Sequence, residues 1–180
     1  MSYEIISDDD IVSLLIEKSN ESKQKAFNLA YDKYLNFVYD FGRTMGIPKD
    51  HCDDFVQEVF FRLFRKIHKF NTKKRFFPWF YSLVRNCCYD YIKYLEKHKD
   101  IDYRIENYVY NPYEFEIETI NYVRDIISRL PNDEREVIFL RFYQDLSVDE
   151  ITQILGYSTR KVYNIIDKAL KEIEKHWSEK

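Results

Sequence analysis

The chain has 180 residues, 45% of them hydrophobic and 33% charged, with a formal net charge of −3. That length allows one domain or two small ones, and that composition is ordinary for a soluble globular protein. No apolar stretch approaches the ~18 residues of a membrane span, and Met1-Ser2-Tyr3-Glu4 lacks the basic and apolar regions of a signal peptide, so a cytoplasmic chain without membrane insertion is expected.

Only 3 Gly and 4 Pro occur. Such a scarcity of turn formers favours long helices over a meander of strands, and the expected fold class is all-α. Ser7-Asp8-Asp9-Asp10 reads as a helix start, with the Ser7 side chain accepting from free backbone N–H groups. Ile11, Leu14, Leu15 and then Ala26, Phe27, Ala30, Tyr31, Tyr34, Phe37, Val38 and Phe41 follow at helical spacing until Gly42, Gly46 and Pro48 interrupt the run. A second helix is expected from about Asp50 to His68, with the stripe Phe55, Val56, Val59, Phe60, Leu63, Phe64, Ile67 facing inward. The polar break Asn71–Arg75 precedes Phe76-Phe77-Pro78-Trp79-Phe80-Tyr81, where Pro78 suits the first turn of a third helix running towards Lys97. Trp79, Phe80 and Leu83 are expected in the core, with about two of the other rings on the surface.

Residues 98–118 hold four tyrosines, Pro112 and many acids with little apolar periodicity, and read as an acidic, flexible linker. Two small helical domains are therefore expected, 1–97 and 119–180. In the second, Ile120, Val123, Ile126, Ile127 and Leu130 are periodic up to Pro131, after which Asn132 is expected to cap a helix carrying Val137, Ile138 and Leu140. Ser147-Val148-Asp149-Glu150 is a capping box, in which serine and glutamate each satisfy a backbone N–H of the other. Ile151, Ile154 and Leu155 face inward, Gly156 fits the left-handed position that ends a helix, and Ser158 caps the next one. That last helix buries Val162, Ile165, Ile166, Ala169 and Leu170, and presents Thr159, Arg160, Lys161, Tyr163, Asn164, Asp167, Lys168 and Lys171. Two helices around one glycine, the second the longer, match a DNA-reading helix-turn-helix running from Ser147 to about Lys171. A generic helical hairpin is the competing description.

Charge is sharply localised. Residues 1–58 carry 6 basic and 12 acidic side chains, 59–99 carry 11 and 2, 100–134 carry 3 and 9, and 135–180 carry 8 of each. A polyanion would be drawn to one segment and repelled by its flanks. In that segment Arg62, Arg65, Lys66, Lys69, Lys73, Lys74, Arg75, Arg85 and Lys93 bracket the aromatic cluster, a combination suited to phosphates and to stacked, unpaired bases. No cofactor or metal is expected. His51, Cys52, Asp53 and Asp54 lie together but read as an acidic helix start, and Cys52, Cys87 and Cys88 lack metal-site spacing. Cys87 and Cys88 read as small buried residues on a helix. There is no phosphate loop, no metal-bound carboxylate pair and no Cys–His nucleophile arrangement, so an enzyme is not expected.

The run Asp53-Asp54-Phe55-Val56-Gln57-Glu58-Val59-Phe60-Phe61-Arg62-Leu63-Phe64 resembles the most distinctive stretch of bacterial RNA polymerase sigma factors of the extracytoplasmic-function type. Phe70, Trp79-Phe80-Tyr81, Arg85-Asn86 and Asp90 resemble that family's next block. Leu130-Pro131, Arg135, Leu140-Arg141, Leu146-Ser147, Glu150-Ile151, Leu155-Gly156 and Val162 resemble its C-terminal domain. All three blocks stand in the family's order, covering nearly the whole chain.

The resemblance implies that Asp54, Gln57, Glu58 and Phe61 contact core RNA polymerase. It implies that the loop Asn71–Phe77, with Lys73, Lys74, Arg75, Phe76 and Phe77, holds a flipped base of the promoter −10 element, with Tyr81, Arg85 and Asn86 beside it and Lys93 on the backbone. Ser158, Thr159, Arg160, Lys161, Tyr163, Asn164, Asp167 and Lys168 would read the −35 element. An anti-sigma partner is implied as well. This chain departs from the family around Val162–Leu170, where it has lost several positive charges, and −35 binding by the domain alone is expected to be weak. The alternative is a helix-turn-helix regulator that acts without being a polymerase subunit.

Overall fold

The computed structural model describes residues 7–17, 19–98, 127 and 129–178. Among them every regular element is helical, and none is long and apolar enough to cross a membrane. The chain divides into two compact units, Met1–Arg43 with Ile47–Tyr91, and Ile92–Lys180 with the short stretch Thr44–Gly46. The segment 98–118, apart from His98, lies outside the described residues, as do Ile120, Val123 and Ile126.

The first unit begins with α1 (Asp8–Ile16), closed by the expected capping box: Ser7 Oγ accepts from the Asp10 N–H, and the Asp10 carboxylate accepts from the Ser7 N–H. α2 (Asn20–Met45) follows as a separate helix, so the long apolar run is divided over two helices. Asp8 ties the two together, accepting from Lys33 Nζ at 2.6 Å and from the Tyr34 hydroxyl. Burial and that carboxylate push the Tyr34 phenol well above its ordinary range.

Gly42 does not interrupt α2. It lies inside the helix, where a Cβ would stand 2.8 Å from the Phe55 ring, so its lack of a side chain lets α3 approach. The helix ends instead at Gly46, whose φ of 101° permits the Ile47 N–H to reach back to Gly42 O at 2.9 Å.

A 3₁₀ turn (Lys49–His51) leads into α3 (Cys52–Lys66), a second one (Ile67–Lys69) leaves it, and α4 (Phe76–Lys97) starts two residues before Pro78. The core between α2, α3 and α4 is aromatic. Phe80 is fully buried against Tyr34 at 4.7 Å and Phe76 at 5.6 Å, and Phe41 meets Tyr81 at 5.6 Å. Leu83, Cys87 and Cys88 complete the buried face of α4. Trp79 is only half-buried, lying across Phe70 at 5.1 Å.

In the second unit, α5 (Asn132–Ile138) continues as a π-helical turn (Phe139–Tyr143). Asn132 is the first residue of α5 rather than its cap: Pro131 occupies that position, and no side chain caps there. Pro131 has no side-chain acceptor to offer, and its carbonyl takes the first helical hydrogen bond, from the Arg135 N–H at 3.0 Å. α6 (Val148–Leu155) and α7 (Thr159–Ser178) form the helix-turn-helix. Val137, Phe139, Leu140, Ile151, Val162 and Ala169 are almost wholly buried and form its core. Leu170 is 40% exposed, against expectation, because Ala169 takes the inward position at that turn.

Candidate nucleic-acid and protein interfaces

Asp54, Gln57, Glu58 and Phe61 lie one turn apart on the face of α3 opposite its apolar stripe. The structure brings all four to a single groove of about 580 Å³, completed by Phe27 and Tyr31 from α2 and by Phe60 and Phe64. Phe61 is 57% exposed, far more than a ring that size needs in a monomer core. The groove floor is a ring cluster: Tyr31 meets Phe60 at 4.9 Å and Phe27 meets Phe64 at 5.0 Å. Its acidic rim is held in place by Arg62, which donates to Glu58 Oε1 and Asp90 Oδ2, both at 2.6 Å. That guanidinium bridges α3 to α4, and the two carboxylates, outweighing its burial, hold its pKa above the ordinary range. Phe27, Tyr31 and Phe64 counted as core in the sequence, because their helical spacing carries no sign of which apolar residues line an open edge.

A second surface is the loop between the 3₁₀ turn and α4. Asn71 organises it, its Oδ1 accepting from the Lys73 N–H at 3.0 Å and its carbonyl from the Lys74 N–H at 2.9 Å. Lys73, Lys74 and Arg75 are exposed there side by side. On α4, Asn86 and Lys93 are exposed, while Arg85 is half-buried with its guanidinium 5.1 Å from the Tyr89 ring centroid. Phe77 is half-buried, edge-on to Phe37 at 5.4 Å. Phe76 and Tyr81 are placed differently from the sequence-based expectation: they are 2% and 1% exposed, packed into the core. Of the three rings expected to supply two on the surface, only Phe77 is partly exposed, and Trp79, expected in the core, is half-covered as well.

The third surface is the exposed side of α7. Ser158 caps it, accepting from the Lys161 N–H at 3.2 Å, and Gly156 ends α6 with φ 68° and its N–H on Thr152 O at 2.9 Å. Thr159, Arg160, Lys161, Tyr163, Asn164, Asp167 and Lys168 are all exposed along it, as is Ser158. Two of the cations are paired internally. Lys168 donates to Glu134 of α5, and Lys171 donates to Asp167 at 2.7 Å. Each pairing raises the lysine's pKa, chiefly through the hydrogen bond to its carboxylate. Glu134, in the first turn of α5, is 4% exposed.

Among the described residues no three His, Cys, Asp or Glu side chains converge as a metal site needs. The Cys52 thiol turns to the carbonyls of Pro48 and Ile47, at 3.4 Å and 3.8 Å, away from Asp53 and Asp54, which are exposed.

Comparison with known proteins matches two family models, sigma-70 region 2 over residues 30–98 and sigma-70 region 4 over residues 120–173. The extracytoplasmic-function RNA polymerase sigma factor SigX of Bacillus subtilis strain 168 is 29% identical over 167 residues, spanning 85% of this chain and 84% of that protein. The fold is shared with CnrH, solved with the cytosolic domain of CnrY, at a TM-score of 0.70 and 21% identity over 95% of this chain and 98% of that one. It is shared too with the sigma factor RpoE of Bartonella quintana, solved with the anti-sigma factor NepR, at a TM-score of 0.66 and 20% identity over 84% and 96%.

Proposed function

We propose, for a chain that belongs to the sigma-70 family and to its extracytoplasmic-function group, that it confers promoter selection on RNA polymerase through three separate surfaces. The observation that carries this reading is the α2–α3 groove, where Asp54, Gln57, Glu58 and Phe61 converge around an exposed aromatic floor. Such a groove suits an amphipathic helix with basic flanks, and core polymerase is its proposed occupant. The acidic rim would meet the positive flanks, while Phe61 and Phe64 would lose their remaining contact with water.

Residues 1–97 take core docking and the −10 element, 119–180 take the −35 element, and 98–118 join them. At the −10 element, Lys73, Lys74, Arg75 and Lys93 would hold the phosphates of the opened strand, with Arg85 and Asn86 facing bases. Phe77 and Trp79 supply partly exposed ring surface, and the buried Phe76 and Tyr81 support it from below. The chain contributes no catalytic group to this process; bond formation belongs to the polymerase, in the cytoplasm where that enzyme works. RpoE of Bartonella quintana, which shares this fold, was solved with the anti-sigma factor NepR, and an anti-sigma protein is the proposed means of holding this chain inactive.

Run-off transcription with purified core polymerase tests the reading. The wild-type chain is expected to give promoter-dependent transcripts. Phe61→Ala is expected to weaken core binding roughly tenfold while changing stability by less than about 0.5 kcal/mol, as an exposed side chain should. Wild-type binding to promoter duplex without polymerase, and no transcripts with it, would instead support a free-standing helix-turn-helix regulator.

A further inference from the structure

The side chains presented by the first turns of α7 divide into those already engaged within the protein and those that are not. Lys161 Nζ stands over the Tyr157 ring, 3.4 Å from its centroid. Lys168 is paired with Glu134, whose side chain is 5% exposed, and Lys171 with Asp167. Arg160, Tyr163 and Asn164 have no hydrogen bond, ion pair or ring contact from their side chains among the described residues. All three are exposed, Tyr163 to 58%. Their i, i+3, i+4 spacing places them on one face of the first two turns, the part of such a helix that reaches base edges in the major groove.

We infer that base discrimination by the C-terminal unit rests on Arg160, Asn164 and Tyr163, and that Lys168 and Lys171 contribute little to it. The inference rests on the proposal that this unit reads duplex promoter DNA, and it sorts that surface into readers and non-readers. An arginine fork matches the two acceptors of guanine and a carboxamide matches the acceptor and donor of adenine, so Arg160 and Asn164 carry the chemistry of direct readout. A tyrosine ring between them offers apolar contact, as to a thymine methyl. The Lys171–Asp167 pair is exposed at both ends and weak, but Lys171 lies beyond the first two turns of α7. A lysine held to a buried carboxylate, as Lys168 is, differs on both counts. Its ammonium must leave its partner to reach a base, and a neutral ion pair displaces no condensed counterions from phosphate. Leaving Glu134 unpaired in its buried position would add a further desolvation cost, which keeps Lys168 where it is.

In vitro transcription with core polymerase on templates randomised across the −35 region distinguishes the two groups. The variants are Arg160→Ala, Asn164→Ala, Lys171→Ala and the double change Glu134→Gln with Lys168→Met, which removes both partners and so leaves no buried charge. Thermal melts confirm that each variant folds. Arg160→Ala and Asn164→Ala are each expected to flatten the preference at one position by about tenfold. Lys171→Ala and the double variant are expected to keep the wild-type preference profile, with total transcript altered by less than about threefold. The inference is overturned if Arg160→Ala and Asn164→Ala retain the wild-type profile, or if the double variant changes it. Transcripts from wild type with no preference anywhere in the window also overturn it, whereas an absence of transcripts overturns the underlying reading and this inference with it.

Discussion

Cys52 and Cys87 are fully buried, and burial pushes their thiols up from 9.0, to about 11 and about 12 respectively. Between pH 9 and those values the unfolded chain has lost protons that the folded chain still holds. The unfolded state then binds fewer protons, so folding stability is complete below pH 9 and falls as pH rises through the folded values. Urea unfolding at pH 8 and pH 10.5 should show a larger loss for the wild type than for a Cys52→Ala, Cys87→Ala variant; equal losses would remove the thiols from the account. The same burial makes these residues packing elements rather than reactive ones. At the groove the contrast is Phe61 beside Phe60. The two are adjacent in sequence, yet Phe60 is 2% exposed and Phe61 is 57% exposed, because a 100° turn carries one inward and the other to the rim.

Helix pairing places the surfaces. α3 can lie close to α2 because Gly42 offers no Cβ where the Phe55 ring passes. Gly42→Ala should gain up to about 1 kcal/mol of helix propensity but lose about 1–3 kcal/mol to overpacking, a net destabilisation that denaturant midpoints would detect. Its secondary effect should be a disturbed α2–α3 groove, since Phe27 and Tyr31 come from one helix and Phe61 and Phe64 from the other. An unchanged midpoint would mean that Phe55 has room to move. From the groove's rim, Arg62 joins Glu58 to Asp90 and so couples that rim to α4, the helix that carries Arg85, Asn86 and Lys93. In the second unit the α5–α7 contact includes Lys168 and Glu134, whereas the sequence alone placed Lys168 on the presented face of α7.

Across the molecule, charge sorts function. Residues 59–99 hold 11 basic against 2 acidic side chains, and the segments on either side carry 12 and 9 acids. A free chain is thereby repelled by DNA over much of its length and attracted in one place, which favours engagement only when polymerase holds the promoter nearby. Replacing Lys73, Lys74 and Arg75 with alanine should reduce the salt dependence of open-promoter binding by a log–log slope of roughly 2, the value for three single-strand phosphates. Filter binding of the polymerase complex between 50 and 200 mM salt would measure it, and an unchanged slope would place those side chains away from phosphate.

Helical fold class, the Ser7 and Ser147 capping boxes, the left-handed Gly156 and the exposed face of α7 were legible in the sequence, because each depends on residues within a few positions of one another. The charge segments and the acidic pattern Asp54, Gln57, Glu58 were legible for the same reason. Other features required the tertiary structure. Periodicity marks Phe27, Tyr31, Phe64, Phe76 and Tyr81 alike as apolar, and only the neighbouring helices decide that the first three edge an open groove while the last two are sealed in the core. Likewise Lys168 and Arg160 are equal cations in the sequence. A carboxylate 34 residues away on another helix is what engages one of them and leaves the other exposed, with no side-chain partner among the described residues.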